Sequence, residues 1–211
     1  MMYFRKKPFP DIRTMFRNMI CIMYRNVGIK LVLLVCFMCS PFPSFYVQSE
    51  SFREFQVKAV FLYNLTNFIS WPDDAFYSDV APFRIGIVGK DPFGPFLDKV
   101  VQGEIVNGRH IVIERFHGIE DLRTCHILFI SSSMKAELPE ILKVTRNFST
   151  LTVSDFQGFA HLGGVVNLVR KENRVCVEIN PISARRAGLG ISAKLLKLAT
   201  IIREEFTWED D

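Results

Sequence analysis

The sequence predicts an α/β fold, arranged as a single three-layer domain whose mixed sheet of about six strands is mostly parallel and ends in an antiparallel hairpin. Apolar strand-like runs alternate with helical segments between residues 83 and 153, and such alternation is typical of parallel strands joined by helical crossovers. Two further apolar runs, 165–170 and 174–179, flank a polar tripeptide, which is the pattern of a hairpin. A length of 211 residues suits one domain with a short appendage.

The first element of the domain is a helix predicted over residues 51–70. Its apolar residues recur at intervals of three and four, which places them on one face of a helix: Phe55, Ala59, Leu62, Leu65 and Ile69. Trp71-Pro72 ends the helix, because proline restricts the residue before it and lacks the N–H group that a further turn would use.

The alternating strands and helices come next along the chain. Strands are predicted at 83–88, 111–116, 126–130 and 150–153, and short helices at 93–101, 119–122 and 138–144. Because a serine hydroxyl can accept hydrogen bonds from the free N–H groups at a helix start, Ser131 to Ser133 are predicted to cap the helix near residue 138.

Residues 182–205 are predicted as a last helical region that Gly188 and Gly190 interrupt. Its core face is expected to consist of residues at helical spacing: Ile191, Leu195, Leu198 and Ile202. Neither an internal repeat nor a linker is visible in residues 50–211, so these segments are assigned to one domain.

Residues 1–49 have the parts of a secretory signal peptide. A basic segment ending at Lys30 precedes an apolar run of nine residues, 31–39, and a proline-rich tail that ends at Ser49. The run is too short to cross a bilayer, which takes about 20 residues. We therefore expect a signal peptide over 1–49, a domain over 50–211 and a periplasmic protein; the alternatives are a buried N-terminal helix and lipid attachment at Cys36 or Cys39.

The charge of the domain argues against nucleic acid as a partner. The whole chain has a net charge of +4, but residues 50–211 carry 19 Lys+Arg and 21 Asp+Glu, a net charge of −2. Binding to a phosphate backbone needs clustered basic residues, and the domain has no such cluster.

Removal of the leader leaves two cysteines, Cys125 and Cys176. In an oxidising compartment the two can form a disulfide, or they can be buried thiols on neighbouring strands, since free cysteine is among the most buried residue types. We favour the two thiols, although the sequence leaves the disulfide open.

The residues that could carry chemistry do not assemble a catalytic set. The turn from Gly89 to Gly94 follows a strand, but its glycine spacing differs from the dinucleotide fingerprint, and Pro92 and Pro95 remove N–H donors. None of the histidines has the spacing of a zinc site. The sequence therefore predicts a binding module rather than an enzyme, with neither metal nor cofactor.

A small-molecule pocket, if the domain has one, is expected at the carboxyl ends of the strands, where open α/β sheets bind ligands. The residues at that edge are Gly89, Phe93, Ser131 and Ser132.

Four groups of motifs, taken in order, resemble the YfiR-like periplasmic proteins of Gram-negative bacteria. They are FQVKAVFLYN at 55–64 with ISWP at 69–72; RIGIVG at 84–89 with PF at 92–93; CHILFI at 125–130; and VEIN at 177–180 with AGL at 187–189 and ISAKLL at 191–196. The resemblance covers nearly all of residues 52–203.

The resemblance implies a regulator that acts by binding proteins. In the family, such a protein holds an inner-membrane diguanylate cyclase inactive, an outer-membrane lipoprotein sequesters it, and the outcome is control of cyclic di-GMP and biofilm formation. Family members are associated with homodimers. Glu178 and Arg186 match a family surface used for partner contact. From the residues alone, Glu178 could instead pair with Arg174 or Arg185.

This chain departs from the family pattern at several positions. Cys125 matches a family cysteine that is disulfide-bonded, but the matching partner cysteine is absent, and Cys176 is additional. Gly190 and Ser192 stand where a ligand-contacting stretch of the family has an Arg and a His. The alternative function is a periplasmic small-molecule sensor that acts on another membrane signalling protein.

The leader predicts export. The mature protein is expected in the osmotic-shock fluid of its native host, shortened by the leader's 49 residues, because a basic flank and a short apolar run direct secretion and cleavage. Mass spectrometry of the released protein measures the new N-terminus. Retention in the cytoplasm with residues 31–39 intact would contradict the prediction.

Overall fold

A computed structural model describes residues 45–146, 148–172 and 174–203, with only the backbone for 45–52. The chain divides into two compact units, Met1–Tyr46 and Val47–Asp211, and the fold below is that of the second. The predicted leader lies outside the described residues except for 45–49, which form the start of the first helix.

The described part of the chain contains both helices and strands. The helices are α1 (Phe45–Asn64), α2 (Pro95–Val101), α3 (Leu138–Thr145), α4 (Pro181–Arg186) and α5 (Ala193–Leu198). The strands are β1 (Ile69–Ser70), β2 (Phe83–Val88), β3 (Ile105–Val106), β4 (Arg109–Phe116), β5 (Ile127–Ile130), β6 (Leu151–Ser154), β7 (Val166–Lys171), β8 (Arg174–Ile179), β9 (Gly190–Ile191) and β10 (Thr200–Ile201). Of these helices, none has the length and apolarity needed to cross a membrane.

The main sheet is mixed and has eight strands in the order β10-β8-β7-β6-β5-β2-β4-β3. Strands β4, β2, β5, β6 and β7 are parallel neighbours, and β7 and β8 form the antiparallel hairpin. The predicted fold class is therefore confirmed, with eight strands instead of about six. The difference is the two-residue strands β3 and β10, which are too short to show an apolar pattern of their own.

Both faces of the central strands are buried. Successive side chains of a strand point to opposite faces, so one strand contributes side chains to two cores. Ile85 and Ile87 of β2 face a core that includes residues of α1 and α2. Val88 faces a second core, built with residues of α3. The sheet thus lies between helices on its two faces, which gives the three predicted layers.

Helix α1 is joined to the sheet by a buried ion-pair network. Lys58 is 3% exposed, and its ammonium contacts Asp155 Oδ2 at 2.9 Å and Glu54 Oε1 at 2.5 Å. Glu54 also accepts a hydrogen bond from Arg170 on β7 at 3.2 Å. Burial alone would raise the pKa of Glu54, but Lys58 and Arg170 lower it overall. These contacts connect α1 to the end of β6 and to the hairpin.

The predicted first helix ends earlier than expected. Helix α1 stops at Asn64, a short 3-10 turn follows, and Ile69–Ser70 forms β1. The residues chosen for the core face are nevertheless inside, because Ala59, Leu62, Leu65 and Ile69 are all buried and Phe55 packs against them.

The prediction of one helical region over 182–205 is wrong for the residues that the structure describes. Gly188 has φ +70°, a left-handed conformation that ends a helix, and Ser192 begins α5 afresh by accepting from the N–H of Leu195. Between them β9 pairs with β1. Leu198, expected in the core, is 76% exposed, whereas Leu195 and Ile202 are buried as expected.

His126 is a structural residue in the core. Its Nδ1 accepts from the N–H of Arg84 at 2.9 Å, its Nε2 lies 3.2 Å from the carbonyl of Ala75, and the rings of Phe76 and Phe83 stack against it. Burial lowers its pKa to about 4, so the ring is neutral at ordinary pH. Within the described ranges no three His, Cys, Asp or Glu side chains come together as metal ligands.

The two cysteines of the domain are free thiols. Cys125 precedes β5 and Cys176 lies on β8, so the expectation of neighbouring strands is wrong: β6 and β7 lie between them. Cys125 is buried, which raises the pKa of its thiol to about 12, while Cys176 is partly exposed.

Candidate functional site

The strand order reverses at β2, since β4 lies on one side of it and β5 on the other. In open α/β sheets, ligands bind outside the carboxyl ends of the strands at such a switch point. Gly89 directly follows β2, and Ser131 and Ser132 directly follow β5. The structure therefore brings the residues predicted for a ligand pocket to the edge where such a pocket would be.

The protein's own side chains fill the space next to these residues. Gly89 has φ +86°, and a Cβ atom there would lie 2.5 Å from both Met134 Cγ and Ser133 Oγ. Ser133 Oγ accepts from the N–H of Lys90 at 3.0 Å. Ser131 is 5% exposed. Ser133 and Met134 therefore occupy the space directly beside Gly89.

Phe93, the fourth residue predicted for this pocket, belongs to the core. It is 4% exposed, and its ring packs edge-on against that of Phe129, with 4.7 Å between ring centroids. The ligand-pocket role of these four residues stays a prediction.

Acidic side chains occupy the turn that would have to bind a phosphate. Asp91 Oδ1 accepts from the N–H groups of Phe93 and Gly94 at 2.7 and 3.2 Å. The guanidinium of Arg115 binds Asp91 and Asp98 at 2.7 and 2.6 Å, and its hydrogen bonds hold the pKa of Asp98 below the ordinary value. The N–H groups of Phe93 and Gly94 are therefore already satisfied by the protein's own carboxylate.

Glu178 lies at the carboxyl edge, on the hairpin. Its Oε1 binds Lys171 Nζ at 3.0 Å, and its Oε2 accepts from Asn167 Nδ2 at 3.2 Å. The ion-pair partner of Glu178 is thus Lys171, whereas the sequence suggested Arg174 or Arg185. The side chain of Glu178 is 12% exposed and lines a cavity of about 600 Å3. The neighbouring residues around this cavity include Asp155, Gly158 and His161.

Arg186 lies at the other end of the domain core. It is exposed, in the last turn of α4, and lines a second cavity of about 360 Å3 near the starts of β6 and β7. The two residues matched to the partner surface therefore line different cavities. Sequence reasoning missed the other polar residues of this second cavity, because Arg146, Thr152 and Ser183 lie in three separate segments and match no motif.

The model of the YfiR/HmsC-like family matches residues 55–200, which run from the second half of α1 to the start of β10. The chain belongs to the YfiR/HmsC-like family. A search of curated proteins found no match.

The YfiR/HmsC-like match includes both Glu178 and Arg186, and it spans the whole sheet except the last residue of β10. The family is known in cyclic di-GMP regulation and is regulatory rather than catalytic. This character agrees with the turn after β2, whose N–H groups are bound by the protein's own Asp91.

The surroundings of Glu178 predict how it responds to charge reversal. In Glu178→Lys the new ammonium would face Lys171 and the amide N–H2 of Asn167, and the buried amide would lose its acceptor. We expect the free energy of unfolding to fall by about 1–3 kcal/mol, measured by urea denaturation.

The matched control is Glu172→Lys at the exposed tip of the same hairpin, which is expected to change stability by less than about 0.5 kcal/mol. If Glu178→Lys were as stable as the control, the carboxylate would not be held by Lys171 and Asn167 in solution.

Proposed function

We propose that the protein is an exported periplasmic regulator that represses an inner-membrane diguanylate cyclase and so limits cyclic di-GMP and biofilm formation. The observation that carries the proposal is the YfiR/HmsC-like match over residues 55–200. In this proposal the protein binds the periplasmic region of the cyclase, and an outer-membrane lipoprotein sequesters it and so releases the cyclase. We further propose that it acts as a homodimer.

The edge of the sheet at the switch point supports a role in protein binding. Nucleotide-binding α/β proteins leave backbone N–H groups free after the first strand for a phosphate. Here Asp91 binds those groups, and Met134 and Ser133 contact Gly89. These features favour a regulatory binding protein over an enzyme that processes nucleotides.

Arg186 is the residue that we assign to the contact with the cyclase. It is exposed on α4, and an exposed guanidinium can form paired hydrogen bonds with a carboxylate of a partner. Glu178 has a different part in this proposal. Its two oxygens bind Lys171 and Asn167, so it contributes by holding the surface of the hairpin in shape.

A periplasmic small-molecule sensor is the second candidate function. The observation that favours it is the size of the two cavities, about 360 and 600 Å3, since small-molecule sites commonly have volumes of about 300–1,000 Å3.

Deletion of the gene tests the proposed function. Cyclic di-GMP is expected to rise in the deletion strain, with every cyclase gene intact, because an inhibitor of its synthesis is lost. The wild-type gene restores the low level, and Arg186→Glu does not, since a like charge at an interface costs several kcal/mol. The matched control is Arg185→Glu, which reverses the neighbouring exposed charge of the same helix and restores repression.

Unchanged cyclic di-GMP after deletion would contradict the repressor function. If Arg186→Glu repressed as well as Arg185→Glu, Arg186 would lie outside the contact surface, while a rise on deletion would still support the repressor function.

A further inference from the structure

Two cavities lie side by side at the amino ends of the central strands. The first, of about 360 Å3, is near the starts of β6 and β7, and the second, of about 240 Å3, is near the starts of β5 and β6. Thr145 and Thr150 line both cavities. The two cavities together are called the amino-edge surface.

The amino-edge surface is both basic and apolar. Its lining includes Arg123, Arg146 and Arg186, and none of the described residues that line it has a carboxylate. Val144 and Phe148 line the second cavity, and both are exposed although they are large and apolar. Exposed apolar side chains next to positive charge fit an occupant that is itself apolar and acidic.

Residues 204–211 of the same chain have that composition. Their sequence is EEFTWEDD, which contains five acidic residues, no basic residue and two large aromatic residues, Phe206 and Trp208. The family match ends at residue 200, so a role for this segment cannot be carried over from the family and has to be argued from this chain.

The chain reaches residue 204 from the same side of the sheet. Strand β10 is parallel to β8, and β8 is antiparallel to β7, so β10 runs towards the starts of the parallel strands. The N–H of Ile202 donates to the carbonyl of Ile179, which is level with Val166 at the start of β7. Neighbouring strands lie about 4.8 Å apart, so β6 and β5 are about 14 and 19 Å from β10. Eight extended residues span about 26 Å, so the segment is long enough to reach both cavities.

We propose that residues 204–211 bind to the amino-edge surface of their own domain. In this arrangement the rings of Phe206 and Trp208 cover the exposed apolar side chains of the surface. The carboxylates of the segment face Arg123 and Arg146, since an arginine presents several N–H donors in a planar arrangement that fits carboxylate oxygens. This contact is separate from the crevice at the switch point, and it does not depend on the cyclase.

The ordinary explanation for this surface is an edge of the domain that contacts only water. Exposed arginines are commonly solvated, and single exposed apolar side chains are normal on protein surfaces. That explanation predicts that residues 204–211 do not bind to the domain, so a measurement on the segment separates the two.

Trp208 reports on its own surroundings by fluorescence. The protein has two tryptophans, of which Trp71 is the other, so the difference between the emission spectra of the wild type and of Trp208→Phe isolates Trp208. We expect this difference spectrum at shorter wavelength than the spectrum of the free peptide EEFTWEDD, because binding removes the indole ring from water. Acrylamide is expected to quench Trp208 less in the protein than in the peptide.

The same peptide can be added to a variant that lacks residues 204–211. We expect saturable binding to this truncated variant and binding to the full chain that is at least about tenfold weaker, because the tethered segment competes at a millimolar effective concentration. Two control peptides, QQFTWQNN without the charges and EEATAEDD without the aromatic rings, are each expected to bind the truncated variant at least about tenfold more weakly. Circular dichroism shows that the truncated variant is folded.

Three further variants test whether the peptide binds at this surface. In the truncated variant, Arg123→Glu and Arg146→Glu are each expected to raise the Kd of the peptide at least about tenfold, because they place like charges together. Arg185→Glu is the control, because Arg185 is exposed on α4 and lines neither cavity. It is expected to leave the Kd within about twofold.

Three results would overturn the proposal. The first is a Trp208 difference spectrum that coincides with that of the free peptide; because it is measured on the full chain, it decides even where the truncated variant does not fold. The second is a peptide affinity that Arg123→Glu and Arg146→Glu leave unchanged. The third is a Trp208 signal that depends on protein concentration, which would assign the segment's contact to a second copy of the chain. None of them bears on the repressor function, which the deletion strain tests separately.

Discussion

The arrangement of the domain's carboxyl edge depends on the ion pairs that the buried ammonium of Lys58 makes. The ammonium contacts carboxylates from two elements, Glu54 of α1 and Asp155 after β6. An ammonium that is almost fully removed from water is tolerated only when charged partners compensate for the lost hydration. Helix α1 therefore has one position in which both its apolar face and its charged residue are satisfied.

The hairpin depends on the same network. Glu54 binds Arg170 of β7, while Glu178 of β8 binds Lys171 and Asn167. Two sets of ion pairs thus hold the hairpin, one to helix α1 and one across its own strands. At the switch point, in contrast, Met134 and Ser133 contact Gly89. The carboxyl edge is consequently built from contacts within the protein.

The order of the central elements could be predicted from the sequence, because each of β2, β5 and β6 is a short apolar run between helical segments and is buried on both faces. The hairpin was also visible in its two apolar runs. The region after residue 182 could not be predicted in the same way. Its apolar spacing fits a helix, but Gly188 in a left-handed conformation and the pairing of β9 with β1 are decided by tertiary contacts.

The candidate sites were less accessible to sequence reasoning than the fold. Glu178 and Arg186 were found only through family resemblance, and their different surroundings depend on side-chain contacts between segments.

A double-mutant cycle between Lys58 and Asp155 tests the central claim most directly. Lys58→Met is expected to lose about 3–5 kcal/mol of the free energy of unfolding, because it removes the ammonium that both carboxylates contact. Asp155→Leu is expected to lose less, because Lys58 keeps Glu54 as a charged partner. The double variant is expected to lose less than the sum of the two, with a coupling energy above about 1 kcal/mol. Losses that add to within about 0.5 kcal/mol would contradict the claim that this buried pair organises the carboxyl edge.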